Sequence, residues 1–262
     1  MKKLIAVFLA ALLLLGAVSC ATPTPEPTPN ATKTPKPTQA PPQTPEPATP
    51  TPETESAPDY ITIKGEQYST SLTELYLGNL GLTNEDIEPL KYMTNLTHLN
   101  LSENDITDIA PLANLVNLTR LDLDGNLNNK DMTPLANLTN LIYLTMQRNY
   151  RLSDISALSK LTNLEGLYLG FCNVSDVTPL ENLTNLTYLT LNFNNVSDVT
   201  PLANLTKLVK LGLAGNNISN IRPLASLTNL TELILEDVED NHISDAQIAE
   251  LRAALPDCKI YN

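Results

Sequence analysis

Between Leu186 and Lys207 the chain reads LTYLTLNFNNVSDVTPLANLTK, with apolar residues at Leu186, Leu189, Leu191, Val196, Val199, Leu202 and Leu205. This spacing fits neither one helix nor one strand. Leu189 and Leu191 alternate with period two, which predicts a short strand, and the later spacing of three predicts a tight helical return. One such unit cannot bury its apolar edge alone and needs a copy on either side. The copies begin at Leu72, Leu96, Leu118, Leu141, Leu164, Leu186, Leu208 and Leu230, at steps of 24, 22, 23, 23, 22, 22 and 22 residues.

Within the units polar residues recur at fixed places. Asn104, Asn126, Asn149, Asn194 and Asn216 follow the strand, where a buried amide can serve backbone groups of neighbouring turns. Cys172 takes this place in the fifth unit and Leu80 in the first. Asp108, Asp154, Asp176 and Asp198 stand before the return and are expected to cap its free N–H groups. Pro111, Pro134, Pro179, Pro201 and Pro223 fit an early helical position that needs no N–H.

The pattern L-x-x-L-x-L-x-x-N-x-(I/V)-x-x-(I/V)-x-P-L resembles the leucine-rich repeat, and the 22-residue length with S-D-V-T-P-L resembles the internalin type of bacterial surface proteins. The resemblance implies an α/β repeat solenoid, a horseshoe or arc with a parallel β-sheet on its concave face and 3-10 or short helical returns on its convex face.

Both ends of such a solenoid need caps. Residues 59–71 are expected to form the first: Tyr60–Lys64 alternates as a strand, Gly65 turns, and a second extended run follows. The last unit carries an acidic three-residue insertion within 236–242, expected to be a solvated loop. Ser244 and Gln247 then predict a capping box, Ile248, Leu251 and Leu255 one face of a helix, and Cys258 and Ile260 a final strand, giving a C-terminal cap over about 244–262.

Ahead of the repeats stand two other segments. Residues 1–19 open with Lys2 and Lys3 and continue with an uncharged apolar run from Leu4 to Val18, too short for a membrane span and right for a signal peptide. Ala17-Val18-Ser19-Cys20 resembles a bacterial lipobox, which implies cleavage before Cys20 and lipid attachment there. Residues 20–58 hold thirteen prolines and ten threonines among 39 residues, so no core can form, and an extended linker is expected. The expected location is the cell envelope or cell surface, with membrane attachment only through Cys20.

The formal net charge is −13; the leader contributes +2 and the linker −2, leaving −13 on the repeat domain. That balance excludes nucleic acid and direct docking on anionic lipid as partners. Cys172 and Cys258 are separated by more than three repeats, beyond disulfide reach. Two histidines, His98 and His242, supply neither a metal set nor a catalytic triad, so no metal, cofactor or enzymatic activity is expected. Repeated Asn-Leu-Thr triplets, at Asn95, Asn137 and Asn204, are by-products of the repeat.

Candidate chemistry lies on the outward strand positions, which stacking turns into columns. The first runs Glu74, His98, Arg120, Tyr143, Gly166, Tyr188, Lys210, Glu232. The second runs Tyr76, Asn100, Asp122, Thr145, Tyr168, Thr190, Gly212, Ile234. The third runs Gly78, Ser102, Asp124, Gln147, Gly170, Asn192, Ala214, Glu236. The fourth runs Asn79, Glu103, Gly125, Arg148, Phe171, Phe193, Gly215, Asp237. Tyr143, Tyr168, Phe171, Tyr188 and Phe193 gather in units four to six as an exposed aromatic strip. Thr145, Gln147, Arg148 and Asn192 are expected to give a partner hydrogen bonds, and Gly166, Gly170, Gly212 and Ala214 to leave room beside the rings. A monomer that binds a protein of a host or of the bacterial envelope is the expected function; a glycan stacked on the rings is the alternative.

Overall fold

The computed structural model describes residues 57–126, 131–236 and 241–262. The leader, Cys20, the linker as far as residue 56 and most of the acidic insertion lie outside them. Among the described residues no helix is long and apolar enough to cross a membrane.

The chain opens on a hairpin, β1 (Tyr60–Ile63) against β2 (Glu66–Ser69), closed by Lys64 and Gly65 at φ 51° and 87°. Two successive positive φ values make the turn that matches strand twist. Ile61 and Ile63 are buried against the first repeat, so the hairpin caps the apolar end.

Then come nine three-residue strands: β3 (Glu74–Tyr76), β4 (His98–Asn100), β5 (Arg120–Asp122), β6 (Tyr143–Thr145), β7 (Gly166–Tyr168), β8 (Tyr188–Thr190), β9 (Lys210–Gly212), β10 (Glu232–Ile234) and β11 (Lys259–Tyr261). They form one parallel sheet in strict chain order. The fold is the repeat solenoid expected from the sequence, with the sheet as its concave face. β11 adds Lys259 and Tyr261 to the first two columns.

The returns are short. Unit one uses a turn of α-helix, α1 (Asn84–Ile87), and a 3-10 turn (Glu88–Tyr92); later units use 3-10 turns alone, such as Thr178–Leu180 and Thr200–Asn204. Aspartate sets their entry: the Oδ1 atoms of Asp108, Asp131, Asp154, Asp176 and Asp198 accept from the N–H two residues on, at 2.8–2.9 Å. Asn220 does the same for Arg222 N–H at 3.2 Å. Hydroxyl bonds from Thr178 and Thr200, followed by these backbone bonds, hold the carboxyls of Asp176 and Asp198 below the usual carboxylate range, and for Asp131 and Asp154 the backbone bond leads and the hydroxyl of Thr133 or Ser156 follows.

Two amide ladders tie the units together. Buried Asn194 donates from Nδ2 to Leu169 O at 2.7 Å and Leu191 O at 3.0 Å, and its Oδ1 accepts from Val174 N–H at 2.9 Å. Asn104 and Asn216 bridge in the same way. The second ladder runs along an exposed edge: Asn117, Asn140, Asn163, Asn185 and Asn229 each donate to a backbone carbonyl of the preceding unit, and Asn95 donates to Thr70 O of the N-terminal cap. Asn95, the asparagine of one Asn-Leu-Thr triplet, is therefore a structural strut.

Cys172 breaks the buried ladder without a gap. Unit four carries an extra residue, and Leu152 N–H turns back to Asn149 O at 2.9 Å. The donor that an asparagine at 172 would have served is already paired. The Cys172 thiol lies 3.3 Å from Met146 O, and burial pushes its pKa up to about 12. Cys172 and Cys258 are both free.

The C-terminal cap is helix α2 (Asp245–Ala254) followed by β11, with Ile248, Leu251 and Leu255 buried. The capping box expected at its start is only half made. Ser244 Oγ accepts from Gln247 N–H at 3.4 Å, but the Gln247 carboxamide turns away. Its Oε1 accepts from Ile221 N–H at 2.9 Å and its Nε2 donates to Ser219 O at 2.9 Å. Gln247 thereby ties the cap to the return of the seventh unit, beside Asn241, which continues the buried ladder by accepting from Ile218 N–H through Oδ1 at 2.9 Å.

Candidate binding face

The strand register confirms the first two columns residue by residue: Arg120, Tyr143, Gly166, Tyr188 and Lys210 are successive Cα partners, as are Asp122, Thr145, Tyr168, Thr190 and Gly212. Alternation along each strand buries Leu144, Leu167 and Leu189 and turns these columns outward.

The aromatic strip is present but is not fully exposed. Tyr143, Tyr168, Phe171, Tyr188 and Phe193 are all half-buried, because each ring lies against its neighbours. The most exposed rings of the sheet are at its ends, Tyr76 at 66% and Tyr261 at 45%. The glycines do not leave room beside the rings. Tyr143 covers Gly166, where an added Cβ would meet its ring at 2.6 Å, and Phe193 covers Gly215, where the distance would be 2.5 Å. Asn192 fills the space over Gly212, and Gln147 Oε1 lies over Gly170. A ring gains by leaning onto bare backbone, which gives it apolar contact and shields the strand.

Arg120 stands 4.8 Å from the centroid of the Tyr143 ring, and the Tyr143 hydroxyl points at Glu165 at 3.4 Å. Phe171 and Phe193 stack with centroids 4.4 Å apart and planes 17° apart. Burial raises the phenol pKa values of Tyr143 and Tyr168, so both remain neutral hydroxyl donors at physiological pH.

The four residues expected to offer hydrogen bonds are already engaged within the chain. Thr145 Oγ1 donates to Asp122 Oδ1 at 2.8 Å, and Gln147 donates to Asp124 from its backbone at 2.7 Å and from Nε2 at 3.2 Å. Arg148 pairs with Glu103 from two units away, passing over Gly125. Asn192 Oδ1 accepts from Ala214 N–H at 2.9 Å. Each finds its partner one or two repeats off, at a separation invisible in a single unit. What these side chains give the face is rigidity.

The fourth column has a feature the sequence did not expose. Asn79, Glu103, Gly125, Arg148, Phe171, Phe193 and Gly215 all have φ between 54° and 65°. This left-handed position suits glycine or asparagine and costs other residues about 1 kcal/mol or more each. Bulky rings there are unusual. Phe171 and Phe193 occupy it side by side, while Gly125 and Gly215 show that the fold accepts glycine.

Below the strip lies an acidic corner. Asp122 accepts from Asn100 Nδ2 at 3.0 Å and from Asp124 N–H at 3.0 Å. Burial, followed by the adjacent charge of Asp122, pushes the Asp124 carboxyl up to about 6. Among the described residues no cluster of side chains is arranged to hold a metal ion.

A family model described as Leucine Rich repeats (2 copies) matches residues 94–137, 139–181 and 162–204. Among solved structures, an internalin C2 from Listeria monocytogenes is 38% identical over 75% of this chain and 84% of that one, with a TM-score of 0.67. A second Listeria monocytogenes internalin is 36% identical over 76% of this chain and 63% of that one, with a TM-score of 0.66. A leucine-rich repeat protein of Leptospira interrogans shares the fold at 22% identity, with a TM-score of 0.55, over 67% of this chain and 51% of that one. A search of curated protein sequences finds no match.

Proposed function

The chain belongs to the internalin family of leucine-rich repeat proteins, and from that premise we propose that it binds a partner protein through the concave face, using the ring patch of units four to six. The observation that carries this reading is the pair Phe171 and Phe193, held in a left-handed conformation that favours glycine. Two rings kept at a backbone cost on the rim of a rigid sheet are better explained by recognition than by packing. The patch is preformed: neighbouring rings and cross-unit hydrogen bonds fix it, so little ordering is left to offset on binding. The mechanism is non-covalent recognition, with Tyr143, Tyr168 and Tyr188 on one side of the patch and Phe171 and Phe193 on the other. Arg148, Thr145, Gln147 and Asn192 hold the surface between them.

The test is a pull-down from bacterial-envelope and host-surface extracts with the full chain, beside a Phe171→Gly/Phe193→Gly twin. The twin is expected to stay folded and to lose the partner. Equal capture by both would remove the ring patch from consideration. Displacement by simple oligosaccharides would turn the reading towards a glycan.

The same reading places the protein at the cell surface as a lipid-anchored monomer, with Cys20 modified and the proline-rich linker as a stalk. Its support is the apolar leader ending on Ser19-Cys20. Metabolic labelling with a fatty-acid probe is expected to mark the wild type and not a Cys20→Ala variant.

A further inference from the structure

The ring patch lies against an acidic flank, and together they define the chemistry of the partner. On the four outward columns the described acids are Glu74, Glu103, Asp122, Asp124, Glu232 and Glu236, against Arg120, Arg148, Lys210 and Lys259. Several of these neutralise one another. Glu103 pairs with Arg148, and Lys210 with Glu232 at 3.1 Å, while Arg120 is committed to the Tyr143 ring. The column carboxylates next to the rings that form no salt bridge are Asp122 and Asp124, both half-buried in unit three and held by hydrogen bonds from Asn100, Thr145 and Gln147, and exposed Glu165 adds a third negative charge beside Tyr143.

Resting on the concave-face reading, we propose that the partner presents an extended segment with a lysine or arginine over Asp122 and Asp124 and an aromatic or large apolar side chain on the Phe171–Phe193 stack. Unit three and the middle of the stack are two and a half strands apart, about 12 Å at the usual spacing of stacked strands. An extended chain spans that distance in about four residues. The preferred segment therefore carries its cation three to five residues from its ring and runs across the strands. The repeat domain's charge of −13 acts in the same sense, drawing a basic partner towards the face.

Protonation supplies an independent signature. The groups facing Asp124 are Asp122 on its own unit, Glu103 from unit two, Arg148, the Thr145 hydroxyl and the Gln147 amides from unit four, and the Cys172 thiol from unit five. With its carboxyl pushed up to about 6, Asp124 holds a proton part of the time near neutrality. A bound cation favours the ionised form and releases that proton, so affinity is expected to rise from pH 5 to pH 7.5.

The experiment pans a phage-displayed library of random twelve-residue peptides on the full chain. Enriched peptides are then measured against wild type, Phe171→Gly/Phe193→Gly, Asp122→Asn/Asp124→Asn and the milder Asp124→Asn, each first checked for folding by thermal unfolding. Peptides with a basic residue three to five positions from an aromatic one are expected, binding both double variants about tenfold more weakly or worse. Their affinity is expected to fall with added salt, and to lose its pH dependence in Asp124→Asn. Aromatic peptides without basic bias, lost only from the phenylalanine variant, would overturn the charge preference and leave the concave-face reading standing. Peptides indifferent to the phenylalanine variant would overturn both. No enrichment at all would overturn the preference for this segment.

Discussion

Single residues on this face do unequal amounts of work, and Asp124 is the clearest case. Its folded pKa is raised from 3.8 to about 6, so the folded state holds its proton over a range where the unfolded chain has released it. The sign follows: stability is undiminished below about pH 4, falls as pH rises towards 6, and stays reduced above that. Asp124→Asn keeps an acceptor for Gln147 N–H and removes the charge. It is expected to stabilise the domain by about 1–3 kcal/mol at pH 7.5, and to change nothing at pH 4, in urea titrations at both pH values. Asn194 gives the opposite case. Asn194→Cys leaves Val174 N–H without its acceptor and weakens two donated bonds, at an expected cost of about 2–4 kcal/mol in the same titration. Cys172 escapes that cost because Leu152 N–H is paired by Asn149 O. The conserved-looking asparagine rule was legible in one unit of sequence; the reason for its exception was not, since it lies in an extra residue one unit earlier.

At the level of the element, the strand–return unit was readable because its two periods switch within one repeat. Leu189 and Leu191 gave the strand, and Val196, Val199 and Leu202 the return. Register across units also followed, since the leucine pattern restarts in every unit and, at steps of 23 and 22 residues, places Tyr143, Gly166 and Tyr188 in one row. Side-chain direction did not follow. Whether Tyr143 stands out or lies on Gly166 depends on a rotamer and a neighbour in the next unit, which spacing alone does not encode. The fourth column was likewise hidden, because Phe171 and Phe193 betray no positive φ by their identity. At this scale the aspartate turns give a further prediction. Four carboxyls with depressed pKa values contribute stability that is present above their unfolded values and lost as pH falls through the folded ones. Asp176→Ala is expected to lower the urea midpoint at pH 7 and to do so less at pH 2.5. Asp176→Asn, which copies Asn220, is expected to retain the turn at both.

For the whole domain, stability is shared along a line rather than around a centre. Apart from side-chain bridges such as Arg148–Glu103, which reaches across unit three, each unit packs on its neighbours, so the ends set how far fraying reaches. Hydrogen exchange is expected to be slowest at Leu167 and Leu189 in the middle strands. Removal of residues 244–262 bares Leu233 and Leu235, and loss of protection is expected to spread from β10 inwards towards β8. Uniform loss across all strands would instead mark a single cooperative core.

The left-handed column also bears on how such a face can change over generations. At most positions of a packed sheet, exchanging a large side chain for none is severe. Here the backbone relaxes when a ring gives way to glycine, and Phe171→Gly or Phe193→Gly is expected to alter stability by no more than about 1 kcal/mol. Seven units present such a position in a row, and glycine, asparagine, glutamate, arginine and phenylalanine all occupy it. The chemistry this rim presents can therefore drift by single substitutions, in either direction, while the solenoid beneath it is left intact.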